Sequence, residues 1–431
     1  MEVRVLDDLI AALREVCSSF EDKRRGFNGR YTMADIGLSA FSVFFMQSPS
    51  FLAHQTALEA RRGRSNCASL FGMEKIPSDN HIRDMLDSVS PEALFGMFDR
   101  TLEALEAGGG LADFRRLGDH HLIALDGTEY HCSRKISCPL CSHRKRNDGG
   151  IEYYHQVVCA TLVAPSHDRA LPLAPTFLTP QDGAAKQDCE SRAARRWLAT
   201  HGPGLARLKP VYLGDDLYSR QPICESVQAL NADFLFVAKP TSHATLMEWL
   251  AGIEPPSRED RVKKGRAFQT HRYRWLEGVP MRDGKDALIV NWLEIEIVNA
   301  AGKLTYKNSW VTSLPVTKDN VAELAACGRA RWKIENESFN VLKTKGYNLE
   351  HNFGHGKINL SALLVTMNLL AFAIHTLCDL TARAWQKARQ RVRTRKRFFQ
   401  DLAAITGYLI FPNWAALIRT LVDGEPPPGV R

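Results

Sequence analysis

The chain has 431 residues, of which 45% are hydrophobic and 24% are charged, a balance that is typical of globular proteins and excludes disordered and collagen-like classes. This length suggests two to three ordinary domains, or one large domain with additions. The 56 Lys and Arg residues exceed the 48 Asp and Glu residues by eight, and residues 383–397 contain eight basic side chains and no acidic one. The excess positive charge is therefore local, which favours a polyanionic partner.

The sequence predicts a cytoplasmic chain without a secretory signal or a membrane span. Its first residues are acidic and amphipathic rather than basic and then apolar. The longest apolar run, residues 360–377, is interrupted by five polar side chains, so we expect a buried core helix. The ten cysteines are mostly isolated, which favours a reducing compartment. No glycine-rich phosphate-binding motif occurs, so we expect no nucleotide cofactor.

The predicted elements change in character along the chain. Residues 1–118 have helical periodicity, which predicts an N-terminal all-α domain ending near Gly108-Gly109-Gly110. Residues 119–240 alternate short apolar strands with helices, an α/β pattern with mixed strand pairing. The predicted strands are 122–125, 153–163, 171–178, 211–213 and 234–238.

Three further segments follow. Residues 241–314 contain strand-like runs and Gly-containing turns, which predict a β-rich insertion. Within 315–380, Asp319 or Asn320 can cap a long helix that runs to Lys345 and stops at Gly346, and the apolar helix comes next. Residues 381–431 form a basic C-terminal segment.

Two acidic residues follow apolar strands. The run 122–125 ends at Asp126, and the run 211–213 ends at Gly214-Asp215-Asp216. Ligands of open α/β sheets collect at the carboxyl ends of central strands, where two carboxylates repel each other unless a cation lies between them. Such a pair predicts a Mg²⁺ site. For either motif alone, a simple Asp-containing turn is an equally good interpretation.

A third acidic residue lies on the predicted long helix. Arg331 and Glu335 are four residues apart and therefore share one helix face. Glu337 lies about 200° around the helix from Glu335, so we expect it to face away from the same site. An arginine beside a carboxylate suits a metal site that faces phosphate, although the helix alone could equally be a surface helix with ion pairs.

In combination, these segments resemble the three signatures of the bacterial insertion-sequence DDE transposases, over about residues 122–377. The matching motifs are Leu125-Asp126-Gly127-Thr128, Gly214-Asp215-Asp216-Leu217-Tyr218, and Trp310-Val311-Thr312-Ser313-Leu314 followed by Arg331-Trp332-Lys333-Ile334-Glu335-Asn336. The resemblance implies an RNase H-like mixed sheet with flanking helices and a β-rich insertion before the Glu helix. It also implies that Asp126, Asp215 and Glu335 are catalytic, with Arg331 beside them.

The resemblance further implies two Mg²⁺ or Mn²⁺ ions, which would serve cleavage of transposon ends and joining of their 3′-ends to target DNA. The partners it implies are double-stranded DNA, as terminal inverted repeats and as target, and a second copy of the chain in a homodimer on DNA. It places the protein at a bacterial nucleoid. The remaining alternatives are a catalytically silent, zinc-containing DNA-binding relative and an RNase H-like nuclease that cuts without joining.

The chain departs from the branch of the family that forms DNA hairpins. That branch has a Tyr three residues before the Arg and a Lys seven residues after the Glu, where this chain has Gly328 and Leu342. Lys343 comes one residue late, but we keep it as a candidate DNA contact. Whether a hairpin forms is left open. Trp275, Trp292 and Trp310 could hold a flipped base, but a core role is the better interpretation.

A cysteine cluster lies between the first two predicted strands, in the loop 131–146. Cys132, Cys138, Cys141 and His143 offer four zinc-compatible ligands, and His131 competes with His143. A reduced, metal-free loop is an equal alternative. Basic residues around the cluster predict contacts with the phosphates of the DNA backbone. They are Arg134, Lys135, Arg144, Lys145 and Arg146.

Basic residues at both ends of the chain complete the predicted DNA surface. In the N-terminal domain, residues 23–25, Arg30 and residues 61–64 are candidates for recognising DNA ends, although a solvated helix face is the alternative. The C-terminal stretch is expected to extend from the core as a tail or helix that grips DNA, with Trp385 and Phe398 as packing points. Its candidate contacts are Arg389, Arg391, Arg393, Arg395, Lys396 and Arg397.

Overall fold

The computed structural model describes residues 4–25, 29–58, 66–180, 188–427 and 430. The predicted basic contacts at 61–64 lie outside these residues. The described part of the N-terminal region is helical, as predicted, and its helices bury their apolar faces against one another. These helices are α1 (Arg4–Ser18), α2 (Met33–Phe45), α3 (Phe51–Leu58), α4 (Asn66–Phe71), α5 (Asp79–Leu86) and α6 (Phe95–Ala107).

The middle of the chain forms the predicted mixture of strands and helices. The strands are β1 (Arg115–Arg116), β2 (His120–Ser133), β3 (Ser142–Lys145), β4 (Ile151–Val163), β5 (Leu171–Pro172), β6 (Thr176–Phe177), β7 (Pro210–Gly214) and β8 (Asp233–Val237). The helices α7 (Glu190–His201) and α8 (Gln221–Gln228) precede and follow β7. Next come α9 (Ala244–Ala251), β9 (Ser257–Lys264), β10 (Ala267–Pro280), β11 (Ile289–Val298) and β12 (Leu304–Thr312).

All strands within the described ranges belong to one mixed sheet of twelve strands, and its main path runs β3-β4-β2-β7-β8-β12-β11-β10-β9. β2, β7 and β8 run parallel, whereas β4 is antiparallel to β2. The chain is therefore α/β with a mixed sheet and flanking helices. The register pairs Ala124 of β2 with Leu213 of β7. Asp126 and Asp215 each lie two residues further on, so the register places both acids at the carboxyl end of β7, although β2 itself continues along β4 to Ser133.

The predicted β-rich insertion is a meander, β9 to β12, that continues the main sheet rather than forming a separate one. β12 pairs with β8 in antiparallel orientation, with Trp310 opposite Val237. Trp275, Trp292 and Trp310 are all buried. Their burial agrees with the interpretation of these side chains as core.

The predicted long helix that ends at Lys345 is divided. α10 (Val321–Arg329) stops after nine residues, and the next helix contains a π-helical segment, Ile334–Phe339, before α11 (Asn340–Thr344). The prediction of one continuous helix is therefore wrong. A π-helical turn holds one extra residue, and such turns are frequent at functional sites. This one carries Glu335.

The predicted buried core helix is α12 (Leu360–Thr381). Among the described residues it is the helix long and apolar enough to cross a membrane, but 89% of its most apolar stretch is buried inside the chain. It packs against α2, α5 and α6 of the N-terminal region. Burial by its own chain is typical of a core helix, so the prediction is confirmed.

The last helices fold back onto this layer. α13 (Arg383–Arg391) packs on α12 and on α15 (Trp414–Asp423), and α14 (Arg395–Tyr408) contacts α3. One hydrophobic core runs from Leu6 to Ile418. The changes of secondary structure near residues 118 and 380 therefore do not separate independent cores.

Candidate active site and Cys/His cluster

Acidic side chains lie close together at the carboxyl end of β7 and at the neighbouring part of β2. Asp126 lies within β2, and its side chain is 16% exposed. Asp215 directly follows β7 and accepts a hydrogen bond from the backbone N–H of Leu217 at 2.8 Å, which holds the turn after the strand. The two carboxylates are close enough to influence each other electrostatically.

Arg331 joins the helical part of the site to the sheet. Its guanidinium contacts the Asp126 carboxylate at 3.4 Å and the Glu335 carboxylate at 2.6 Å. The π-helical segment packs against β2 and β4, which brings Glu335 to the same edge of the sheet. The structure thus brings together all four residues that the motifs singled out, namely Asp126, Asp215, Arg331 and Glu335.

A fourth carboxylate, which the sequence did not reveal, belongs to this cluster. Glu190, the first residue of α7, accepts hydrogen bonds from the Tyr218 hydroxyl at 2.8 Å and from the Gly127 backbone N–H at 3.1 Å. A Cβ atom at Gly127 would lie 2.5 Å from a Glu190 oxygen, so a larger residue there would displace the Glu190 carboxylate from this position. An acidic residue in the first turn of a helix is common, and nothing in the local sequence distinguished this one.

Burial dominates the electrostatics of the cluster. Burial raises the pKa of Asp126 to about 7, Arg331 opposes this effect, and Glu190, Glu335 and Asp215 add to it. Burial likewise raises the pKa of Glu190, although the Tyr218 hydroxyl opposes that shift. The site therefore carries more negative charge than Arg331 neutralises.

A second cluster of polar side chains lies near the C-terminal end of β2 and the N-terminal end of β4, where these two strands pair. Among the described residues, Cys138, Cys141, His155 and His355 place one ligand atom each within 4.8 Å of all the others, and such a set can bind a metal like zinc. The two Sγ atoms are 3.8 Å apart. His155 Nε2 is 3.4 Å from each of them, and His355 Nε2 is 3.6 Å from Cys141 Sγ.

The ligand set differs from the predicted one at two positions. Cys132 is exposed and contacts Arg144, and His143 is an exposed residue of β3. His155 and His355 take the two ligand positions that were predicted for Cys132 and His143. His155 lies on β4, opposite His131 of β2, because the hairpin pairs these strands. His355 comes from a segment more than two hundred residues after the cysteines. Its i, i+4 spacing from His351, with Gly354 and Gly356 nearby, had favoured a structured loop over a metal site, and that interpretation is wrong for His355.

Burial keeps the imidazoles of this cluster neutral. It lowers the pKa of His155 to about 3 and that of His355 to about 4, and it raises the pKa of Cys141 to about 11. Neutral imidazole is the form that ligates metals. The His131 ring lies 4.3 Å from that of His355, centroid to centroid, without joining the four ligands.

The basic residues of the loop 131–146 are largely engaged with acids. Arg144 binds Glu129 at 2.5 Å and Glu152 at 2.7 Å, Arg146 also binds Glu152, and Arg134 binds Asp148 at 3.1 Å. These acids come from the paired strands or from the far side of the turn, so the short sequence window did not show them. Lys135 and Lys145 are exposed.

The C-terminal basic stretch does not extend from the core as expected. Arg395 binds the buried Asp379 at 3.0 Å, and Arg389 lies 3.5 Å from the same carboxylate. Arg391 donates to the Val422 carbonyl, and Arg397 pairs with Asp401 at 2.8 Å. Arg393 and Lys396 are exposed. The predicted packing points Trp385 and Phe398 are both buried.

The residues that differ from the hairpin-forming branch have structural explanations. A Cβ atom at Gly328 would lie 2.6 Å from the Trp310 ring, so α10 packs too closely for a tyrosine. Leu342 is fully buried. Lys343 forms a 2.8 Å ion pair with Glu350.

No protein-family model matches the chain, and a comparison with curated proteins finds no match. Function is therefore inferred from the geometry of the site together with the sequence motifs.

Proposed function

We propose that the chain is a DDE transposase that cleaves transposon ends and joins their 3′-ends to target DNA. The observation that carries the proposal is the convergence of Asp126, Asp215 and Glu335, with Arg331 between two of them, at one edge of a mixed sheet. Asp215 lies 89 residues after Asp126, and Glu335 lies 120 residues after Asp215, so the fold rather than local sequence brings the three acids together.

The strand order supports an RNase H-like core. An antiparallel strand, β4, lies on one side of β2, and the parallel strands β7 and β8 follow on its other side. The helices α7 and α8 connect the later strands. The meander β9 to β12 then enters between β8 and the helix that carries Glu335, which is where the family resemblance implies an insertion.

The chemistry of the site fits Mg²⁺ or Mn²⁺. The donors are carboxylate oxygens, which these ions prefer. Burial is the main cause of the raised pKa of Asp126, and the neighbouring carboxylates add to it, so a bound cation would stabilise the charged form. Asp126, Asp215 and Glu335 would hold the ions. Bound ions would activate a water or a 3′-hydroxyl and stabilise the leaving oxygen.

The chain's own groups position the site. Arg331 fixes the Glu335 carboxylate by a charge-assisted bond and adds positive charge where a phosphate would lie. The Gly127 backbone N–H donates to Asp126 at 3.0 Å and to Glu190 at 3.1 Å, so it orients both acids. Tyr218 holds Glu190 from the other side, which explains the Tyr three residues after Asp215.

A strand-cleavage assay on purified protein tests the proposal. The substrate is DNA that carries the inverted repeats flanking the gene, incubated with target DNA and Mg²⁺. We expect Asp126→Asn, Asp215→Asn and Glu335→Gln each to abolish cleavage while DNA binding stays near normal, because each removes charge from the metal ligands. Retained cleavage in any variant would remove that residue from the site.

Glu337→Gln is the matched control because Glu337 lies on the same helix, beside Val341 and Thr344, away from the carboxylate cluster. It should cleave as the unmodified chain does. Cutting without joining would instead favour a nuclease, and DNA binding without cutting would favour a catalytically silent relative. Processing of two ends implies a homodimer on DNA, and a transposase would act at the nucleoid.

A further inference from the structure

The Cys/His cluster has the dimensions of a zinc site. Zinc binds thiolate sulfur at about 2.3 Å and imidazole nitrogen at about 2.0–2.1 Å, so the edges of its tetrahedron measure about 3.6 Å between S and N and about 3.8 Å between two S atoms. The corresponding distances here are 3.4 to 3.6 Å and 3.8 Å. A disulfide would need an S–S distance of about 2.05 Å, so the two thiols are not bonded.

We propose that Cys138, Cys141, His155 and His355 bind one structural Zn²⁺ that clamps the segment after the Glu helix onto the β2–β4 hairpin. Four protein ligands close the coordination sphere, which distinguishes structural from catalytic zinc sites. Cys141 and His155 are buried, and the other two ligands are half-buried. The proposal is independent of whether the chain cleaves DNA.

The local backbone is arranged for such a site. The Cys141 N–H donates to the Cys138 carbonyl at 3.1 Å, and the Cys138 N–H lies 3.4 Å from the Cys141 sulfur. This turn points both sulfurs at His155. The Tyr130 ring stacks on the His155 ring, with centroids 5.6 Å apart and planes 8° from parallel, and fixes its orientation.

The ligands unite distant parts of the chain. Cys138 and Cys141 lie in the hairpin loop and His155 on β4, whereas His355 lies between α11 and α12. The segment that follows the helix of Glu335 is thereby attached to β4 and to the loop after β2, the strand that carries Asp126. Metal binding closes a loop of about two hundred residues, and binding free energy gained only in the folded chain adds to its stability.

Zinc content and thermal stability test the clamp. The full chain, purified from zinc-supplemented cells, should contain about one zinc per chain by atomic emission. Cys138→Ser and His355→Ala should lose that zinc. Chelation should lower the melting temperature of the unmodified chain and should expose residues 345–359 to limited proteolysis.

Cys132→Ser and His143→Ala are the matched controls. Cys132 lies at the end of β2 and His143 on β3, on either side of the loop that holds Cys138 and Cys141, and neither belongs to the cluster. Both variants should keep one zinc. If Cys138→Ser does not fold, the metal-stripped unmodified chain can be titrated with Co²⁺. The intense visible absorption of tetrahedral thiolate-bound Co²⁺ should then saturate at one equivalent. Zinc well below one equivalent in the unmodified chain, or full zinc in His355→Ala, would overturn the proposal.

Discussion

Arg331 is the residue on which the geometry of the acidic cluster depends. It contacts Asp126 on the sheet and Glu335 on the helix, and its own side chain is only 18% exposed. Burial lowers its pKa, but the neighbouring carboxylates outweigh this effect and the pKa is raised. The guanidinium therefore stays charged and holds two acids that would otherwise repel each other.

We predict that Arg331→Ala lowers the single-turnover rate of DNA cleavage by about 10²-fold or more, the usual loss when one preorganised charged donor is removed from an active site. Arg331→Lys should recover only part of the rate, because an ammonium cannot bridge both carboxylates as the planar guanidinium does. Arg329→Ala is the control, since Arg329 packs over the Tyr306 ring instead. Equal rates for the Arg331→Ala and Arg329→Ala variants would exclude this role.

The site residues that follow an apolar strand or share a helix face were predictable from the sequence. Asp126 and Asp215 follow apolar runs, and Arg331 and Glu335 are one helical turn apart, so each has a local signal. Glu190 has none. His355 has only its i, i+4 spacing from His351, and Gly354 and Gly356 favoured a structured loop rather than a metal site there. Glu190 and His355 each reach their cluster only through tertiary packing. Glu190 packs against Gly127, and His355 packs against the cysteines and His155 of the β2–β4 region.

Among the elements, the start of α12 and the residues just before it are capped by an acid that follows α5. Its own N-cap residue, Asn359, makes no side-chain cap hydrogen bond. Instead, the Asp87 carboxylate after α5 accepts hydrogen bonds from the backbone N–H groups of residues 357–360, at 2.9 to 3.2 Å. Burial raises the pKa of Asp87, but these four donors lower it by more, so the net shift is downward.

We predict that Asp87→Ala lowers the free energy of unfolding by about 1–2 kcal/mol at pH 7, the usual cost of a lost cap. Because the pKa of Asp87 is lower in the folded chain, its charge stabilises the fold above the unfolded value of 3.8. This contribution disappears as the pH falls through the folded value. Urea unfolding of Asp87→Asn and of the unmodified chain should therefore differ at pH 7 and converge in acid.

Asp84→Ala provides the matched control for this cap. Asp84 lies on α5 and forms an ion pair with Lys23 at 2.8 Å, with 69% of its side chain exposed. Exposed pairs contribute little, so its loss should leave the free energy of unfolding nearly unchanged. A similar loss in both variants would mean that Asp87 acts through general surface charge rather than through the cap.

The break before the Glu helix shows where element prediction fails. Spacing and capping residues predicted a continuous helix from about Asp319 to Lys345. The structure instead ends α10 at Arg329 and widens the following turns into a π-helix. Local propensity does not encode this change. It accompanies the packing of Gly328 on Trp310 and of the π-helical segment on β2 and β4, both long-range contacts.

For the whole molecule, the α/β pattern, the helical N-terminal region and the β-rich insertion were predictable from hydrophobic periodicity. The way in which the two ends of the chain share one core was not. The Asn66 side chain bonds the backbone of Thr406, Leu409 and Phe411, and the Trp414 indole donates to the Leu70 carbonyl at 2.7 Å. Contacts between such distant segments leave no periodic signal.

The net charge of +8 is also distributed differently from the sequence expectation. Arg389 and Arg395 lie inward on Asp379, which Arg169 also binds at 3.2 Å. These arginines stabilise a buried carboxylate and are not available as a flexible tail. Among the exposed candidate cations of the same stretch, Arg391 and Arg397 are engaged within the chain, so Arg393 and Lys396 are the better candidates for the proposed DNA contacts.

We predict that the double variant Arg393→Ala, Lys396→Ala binds double-stranded DNA more weakly at every sequence. Each lost phosphate contact should reduce the slope of log affinity against log salt by about 0.9, because fewer counterions are released. Its melting temperature should stay near that of the unmodified chain. Arg395→Ala should instead lower the free energy of unfolding by about 3 kcal/mol, because the buried Asp379 loses one of its partners. The salt slope of its folded fraction should stay as in the unmodified chain. An unchanged salt slope in the double variant would remove this surface from the DNA interface.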